Sequence, residues 1–293
     1  MPQLLTIAGL WSMVYHPSVA REWTLRRKIA AAARAGFNGI TATLTPEHRR
    51  WAGKYGLTHL LGMIETDGTS DATDLIRAQK EGGARHINVQ LGRHDTPPKI
   101  AVQQWIRMER AAERLGGVIL SLEVHRNRCT ETPEKTYEIA ERYEKATGRL
   151  LKFNFDFSHL AVVKHLTPPE YGPRLLTHPA LIQHAEQIHF RPFNGHHCQV
   201  PVTHRGRLTP ETLSYLEFAK AVMSLWRGGA QNAARTLFAC PEMGPMRPAG
   251  AGYNITGLPP AWPDAIVLRG ELERSWRSLD GSTRELRQRP PAK

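Results

Sequence analysis

The sequence predicts a single (β/α)8 barrel, an α/β fold, on three observations. Eight short apolar runs recur along the chain, helical stretches separate them, and eight such units use up the 293 residues without remainder for a second domain. The runs are Leu4-Gly9, Gly39-Leu44, His59-Ile64, His86-Leu91, Val118-Val124, Lys152-Asp156, Gln187-Arg191 and Thr236-Pro241. Each is rich in β-branched or apolar residues and too short for a buried helix. Runs apolar on both faces imply parallel strands covered by crossovers. Between them, Leu25-Ala35, Ala72-Glu81, Ile100-Leu115, Pro133-Ala146 and Pro210-Arg227 place apolar residues at helical spacing, with Ser, Thr or Asp near several starts. Gly36, Gly56, Gly83 and Gly116 then stop helices just before the next strand. A doubly wound sheet is the alternative arrangement of the same units. The Gly- and Pro-rich stretch 249–263 reads as a long loop after the eighth strand, and Ala265-Leu279 as the closing helix. The barrel is expected to span residues 1–280, with the polar segment 281–293 a mobile tail.

Composition narrows the function classes. With 41% hydrophobic and 23% charged residues the chain is ordinary globular protein, which excludes collagen, a disordered chain and a disulfide scaffold. Its three cysteines, Cys129, Cys198 and Cys240, are isolated and without a C-x-x-C spacing, so no structural zinc or disulfide network is expected. The formal charge is +12 and the pI near 10, but the excess is 29 arginines against 10 lysines scattered along the chain. That distribution fits surface arginine better than a nucleic-acid footprint, and no specific nucleic-acid partner is expected. No run of about 18 apolar residues is present and the start lacks a secretion signal, so a cytoplasmic protein without a membrane partner is expected. No Gly-rich phosphate or dinucleotide cradle is visible.

In a parallel barrel the active site is built at the C-terminal strand ends. Here the last four runs end in Leu122-Glu123-Val124-His125, Phe155-Asp156-Phe157-Ser158-His159, Ile188-His189-Phe190-Arg191 and Pro241-Glu242-Met243-Gly244. Glu123, Asp156, His189 and Glu242 thus reach one rim. A single carboxylate at a strand end is commonly a helix cap or an ion-pair partner. Three carboxylates aimed together repel unless a cation sits between them. Oxygen donors with one imidazole and no thiolate suit one divalent ion, Mn, Co or Mg, with Zn less favoured.

At these residues the chain resembles the xylose-isomerase-like TIM-barrel superfamily, which holds sugar isomerases and epimerases, inosose dehydratases and apurinic endonucleases of the endonuclease IV type. The resemblance spans about residues 4–280. It is carried by Ser121-Leu-Glu-Val-His-Arg126, Phe155-Asp-Phe-Ser-His-Leu160, His189-Phe-Arg191 with Gly195-His-His-Cys-Gln-Val-Pro201, and Pro241-Glu-Met-Gly-Pro245. It implies that Glu123, Asp156, His189 and Glu242 ligate one metal. It also implies that Glu123 and Glu242 act as acid and base, and that His159 and Arg191 contact substrate oxygens. A three-zinc nuclease is disfavoured, because the fourth run ends in Val89-Gln90-Leu91-Gly92, with glutamine where that group has a ligand histidine. The stretch Phe190-Arg207 also contains no aspartate.

One metal and two glutamates best serve proton abstraction next to a carbonyl through a metal-stabilised enediolate, on a sugar, keto-sugar or cyclitol. Isomerisation, epimerisation and elimination all use this hardware, so an isomerase or epimerase leads, with a lyase or dehydratase or a non-catalytic sugar-binding barrel as alternatives. Gln90, Gln199, His125, His196 and Trp11 fall in expected rim positions as readers of substrate hydroxyls or sugar faces. Related barrels often form homo-oligomers, and no feature of the sequence fixes such a contact.

Overall fold

A computed structural model describes residues 1–69, 71–245 and 260–288, the side chains of 281–288 excepted. Eight parallel strands close into a barrel: β1 (Gln3–Gly9), β2 (Gly39–Ala42), β3 (His59–Thr66), β4 (His86–Leu91), β5 (Ile119–Glu123), β6 (Phe153–Asp156), β7 (Gln187–Phe190) and β10 (Thr236–Pro241). Each pairs with its sequence neighbours and β10 returns to β1, Gln3 opposite Thr236, as the eight-run pattern requires. Two short strands, β8 (Thr203–His204) and β9 (Arg207–Leu208), form an antiparallel ribbon in the loop after β7. Among the described residues no helix is long and apolar enough to cross a membrane.

The helices are α1 (Leu25–Arg34), α2 (Pro46–Lys54), α3 (Thr73–Glu81), α4 (Pro98–Leu115), α5 (Pro133–Thr147), α6 (Phe157–Val163), α7 (Pro168–Leu175), α8 (Pro179–His184), α9 (Pro210–Arg227) and α10 (Ala261–Gln288). Their starts follow local chemistry. Thr132 and Thr209 cap α5 and α9 by accepting from the backbone N–H of Lys135 and Thr212, and each helix then opens on proline. On α4, Ala101, Trp105, Met108 and Ala112 form one buried stripe against the barrel. By its backbone α10 runs two turns past Gly281, across the start of the segment expected to be a tail; residues 289–293 and most of the 249–263 loop lie outside the described residues.

Strand alternation decides what faces where. Ile87, Val89 and Leu91 of β4, Leu120 and Leu122 of β5, Phe153 and Phe155 of β6 and Ile188 and Phe190 of β7 all join the main core between barrel and helices. Their neighbours Asn88, Gln90, Ser121, Glu123, Asn154, Asp156, Gln187 and His189 must therefore point into the barrel. On the opposite side Ile7, Leu61 and Phe238 form a separate small apolar cluster inside it. The interior is thus apolar on one wall and polar on the other. At Gly39, side by side with His59 in the register, an added Cβ would lie 1.9 Å from the His59 carbonyl oxygen, so only glycine lets β2 approach β3. Below, Glu186 takes up His86 Nε2 at 2.7 Å and Lys152 Nζ at 2.9 Å at the N-terminal end of the barrel, a charge pair that reads as stabilising rather than catalytic.

Candidate metal centre

Four consecutive barrel strands deliver the four expected donors to one point. Glu123 ends β5, Asp156 ends β6, His189 lies on β7 and Glu242 directly follows β10; one donor atom from each lies within 4.8 Å of the other three. The register produces this convergence, since Asp156 sits beside His189 and Asn154 beside Glu123. His189 Nδ1 lies 3.2 Å from Glu123 Oε1 and 3.3 Å from Glu242 Oε2. Neither Nδ1 nor Glu123 Oε1 is aligned for a hydrogen bond, although both are buried. Two buried atoms without an aligned hydrogen bond that face one centre fit two ligands of one ion once Nδ1 gives up its proton, so the set fits a divalent cation.

The second layer is equally specific. Asn88 Nδ2 donates to Glu123 Oε2 at 2.6 Å. The amides of Asn154 and Gln187 lie 2.9 and 3.1 Å from His189 Nε2, while Asn154 Oδ1 and Gln187 Oε1 are buried without a hydrogen bond. Turning one of these amides over satisfies its oxygen with Nε2–H and leaves Nδ1 facing the other donors, the tautomer that a metal ligand needs. Asn154→Leu is therefore expected to weaken Mn²⁺ binding by about 10- to 100-fold, checked by metal titration.

Arg191 is fully buried, and its guanidinium binds Asp156 Oδ2 and lies 3.3 Å from Glu242 Oε2. His159 Nε2 is 3.3 Å from the same Asp156 oxygen and 3.1 Å from Arg191 Nη2. Asp156 also caps α6 by accepting from Ser158 N at 3.0 Å, so the helix-cap role of a strand-end acid and the cluster role coincide in one residue. Electrostatics follow the geometry. Burial opposes a charged Glu123, but the His189 ring against it more than compensates and holds its carboxyl down to about 2. Burial likewise opposes a charged His189, yet Glu242 and Glu123 raise it to about 10. Burial would raise Asp156 too, and the Arg191 charge holds it well below the carboxylate range.

The structure distributes the remaining candidates unevenly. Gln90 is buried and inward-facing at the end of β4, and the His125 ring packs 4.2 Å from that of His159, with burial and the His159 charge lowering His125 to about 4. Trp11 sits half-buried in the 3-10 turn after β1. Gln199, expected to read a hydroxyl, instead has both ends of its amide bonded to Gly244, 3.0 Å from Nε2 to the carbonyl and 2.6 Å from the N–H to Oε1. His196, expected to touch substrate, is an exposed loop residue whose backbone N–H bonds Asn194 Oδ1. Its ring lies 6.0 Å from His165, a surface contact. Asn88, Asn154 and Gln187 escaped the sequence reading, yet each stands two positions before Gln90, Asp156 or His189, on the same face of its strand. A polar residue at that spacing in an otherwise apolar run was the available signal.

No family model matches the chain, and no curated protein matches its sequence. Among solved structures it is similar to a Bacillus anthracis protein, AsbF, described as a probable 3-DHS dehydratase of petrobactin synthesis, at 15% identity and TM-score 0.54, covering 92% of this chain and 99% of that one. It is also similar to a Rhodospirillum rubrum protein described provisionally as a xylose isomerase, at 16% identity and TM-score 0.55, covering 94% and 99%. At these identities the likeness is one of architecture: the chain shares a single (β/α)8 barrel fold with these two proteins.

Proposed function

We propose that the protein is a divalent-metal-dependent isomerase or epimerase of a sugar, keto-sugar or cyclitol that removes a proton from the carbon next to a carbonyl. The observation that carries the reading is the four-donor cluster at the C-terminal end of β5, β6, β7 and β10. Mn, Co or Mg suits these donors, with Zn tolerated, and a bound ion would polarise the carbonyl and offset the charge that builds on its oxygen.

The chain's own residues divide the remaining work. The Glu242 side chain is 13% exposed whereas that of Glu123 has no exposed surface, so Glu242 is the carboxylate a substrate proton can reach. Glu123 acts first as a ligand, fixed by Asn88. Arg191 holds Asp156 and Glu242 in place, and His159 and His125 present imidazole edges near the same carboxylates. A single reachable carboxylate is sufficient for isomerisation or for loss of a β-substituent, whereas epimerisation through two bases needs the second glutamate uncovered. A lyase or dehydratase outcome, matching the description of the Bacillus anthracis neighbour, is therefore the second reading.

Purified protein is expected to hold about one equivalent of divalent metal after loading, with occupancy reduced in Glu242→Gln. Ketoses, inososes and 3-keto-glycosides incubated in deuterated water should then exchange a proton, and product mass separates isomerisation from elimination. Removing the base should lower turnover by about 10²- to 10⁴-fold. Absence of metal after reloading, or undiminished turnover in the Glu123→Gln/Glu242→Gln double variant, would overturn the proposal. Sugar binding without proton exchange would leave a binding barrel.

A further inference from the structure

Three of the four donors are fixed by burial: the side chains of Glu123, Asp156 and His189 are at most 2% exposed, inside the barrel and on its strands. Glu242 is different. It lies beyond the end of β10, partly exposed, and its backbone N–H makes the last bond to the sheet, to Phe190 O at 2.9 Å. Among the described residues no backbone bond to the sheet follows it. The next tie is the Gln199 amide, 3% exposed, which grips both the N–H and the carbonyl of Gly244.

Gln199 is itself firmly held. Val200 N bonds Pro192 O at 2.9 Å, and Val202 N bonds Asp264 Oδ2 at 2.8 Å, which ties the loop after β7 to the first turn of α10. Arg126, from the loop after β5, donates to Cys198 Sγ at 3.4 Å. The loop carrying Gln199 is thus braced from two other parts of the rim, and Glu242 is pinned on both sides, by Phe190 before it and by Gln199 two residues after it.

We propose that Gln199 is a positioning residue that holds Glu242 in the donor cluster by clamping Gly244, so that completion of the metal centre depends on the loop after β7. This rests on Glu242 being a metal ligand, as proposed above. A glutamine side chain reproduces both hydrogen-bonding groups of a peptide, so it pairs with the N–H and the carbonyl of Gly244 at once, which an acceptor-only carboxylate cannot do.

The test compares Gln199→Met, which keeps the volume and removes both bonds, in two backgrounds. In the otherwise wild-type chain Mn²⁺ affinity is expected to fall by about 10- to 100-fold. In Glu242→Ala the same substitution should have no further effect, because the residue it positions is gone. An equal loss in both backgrounds, or none in the first, would overturn the proposal. Amide hydrogen exchange of residues 242–244 in metal-free protein supplies an independent readout. Gln199→Met should accelerate it by at least about tenfold, the value of a single ordinary hydrogen bond, and unchanged exchange would overturn the clamp. If wild-type protein takes up no Mn²⁺ while exchange accelerates, the clamp stands as geometry and the metal reading fails, so the two are separable.

Discussion

Asp156→Ala is expected to cost the metal-free protein about 3–5 kcal/mol, because it leaves the buried Arg191 guanidinium without its main counter-charge. Loss of the cap on α6 adds about 1 kcal/mol, since Ser158 N–H then has no side-chain acceptor. For a chain of this size 1 kcal/mol moves the melting temperature by about 2–4 °C, so a fall of about ten degrees or more is expected in thermal unfolding. Asp156→Asn keeps an acceptor for Ser158 and should recover the cap alone. A melting point of the alanine variant within about 2 °C of wild type would contradict the buried pair. The pH dependence has a definite sign. Asp156 and Glu123 are both held below their ordinary range, so their stabilisation is present above it and is lost as the pH falls, toward about 2 for Glu123.

Where the sequence was legible, it was legible for physical reasons. His86–Leu91 and Thr236–Pro241 match the expected strands residue for residue, because each is a short stretch with Ile, Val, Leu or Phe bounded by turn residues. The four donors could be named because barrel topology fixes which end of a strand is functional. The helices that went unread lack that contrast. In α2 only Ala52 is fully buried, so no apolar stripe announces it, and the stretch between β6 and β7 is divided into the short helices α6, α7 and α8, the last two opening on Pro168 and Pro179. Asn88, Asn154 and Gln187 lie two positions before Gln90, Asp156 and His189, so a two-residue periodicity of polar residues marks the interior face of these strands. Gln199 was named, but its work was invisible in one dimension, because its partner Gly244 is 45 residues away.

Metal binding is expected to release about one proton per ion near pH 8, a number that follows from His189. In the metal-free protein two carboxylates raise the ring to about 10, so it is an imidazolium at neutral pH, with Nδ1–H directed between Glu123 and Glu242. To become a donor Nδ1 must lose that proton. Apparent affinity for Mn²⁺ should therefore rise by about tenfold per pH unit from neutrality upward and level off as the pH passes the ring's raised value. Stability of the metal-free fold runs the other way. A histidine raised from 6.5 to about 10 on folding contributes fully below its unfolded value, and the contribution is lost as the pH rises through the folded one. Calorimetric titration in two buffers of different ionisation enthalpy counts the protons directly. Release close to zero at pH 8 would mean that His189 is already neutral or does not ligate, and the charge argument for the centre would fail with it. In Glu242→Gln the carboxylate that does most to raise the ring is gone, so the proton-release window should move toward lower pH. A histidine perturbed by burial alone would not respond in that direction, since burial lowers the ring and only the facing carboxylates raise it.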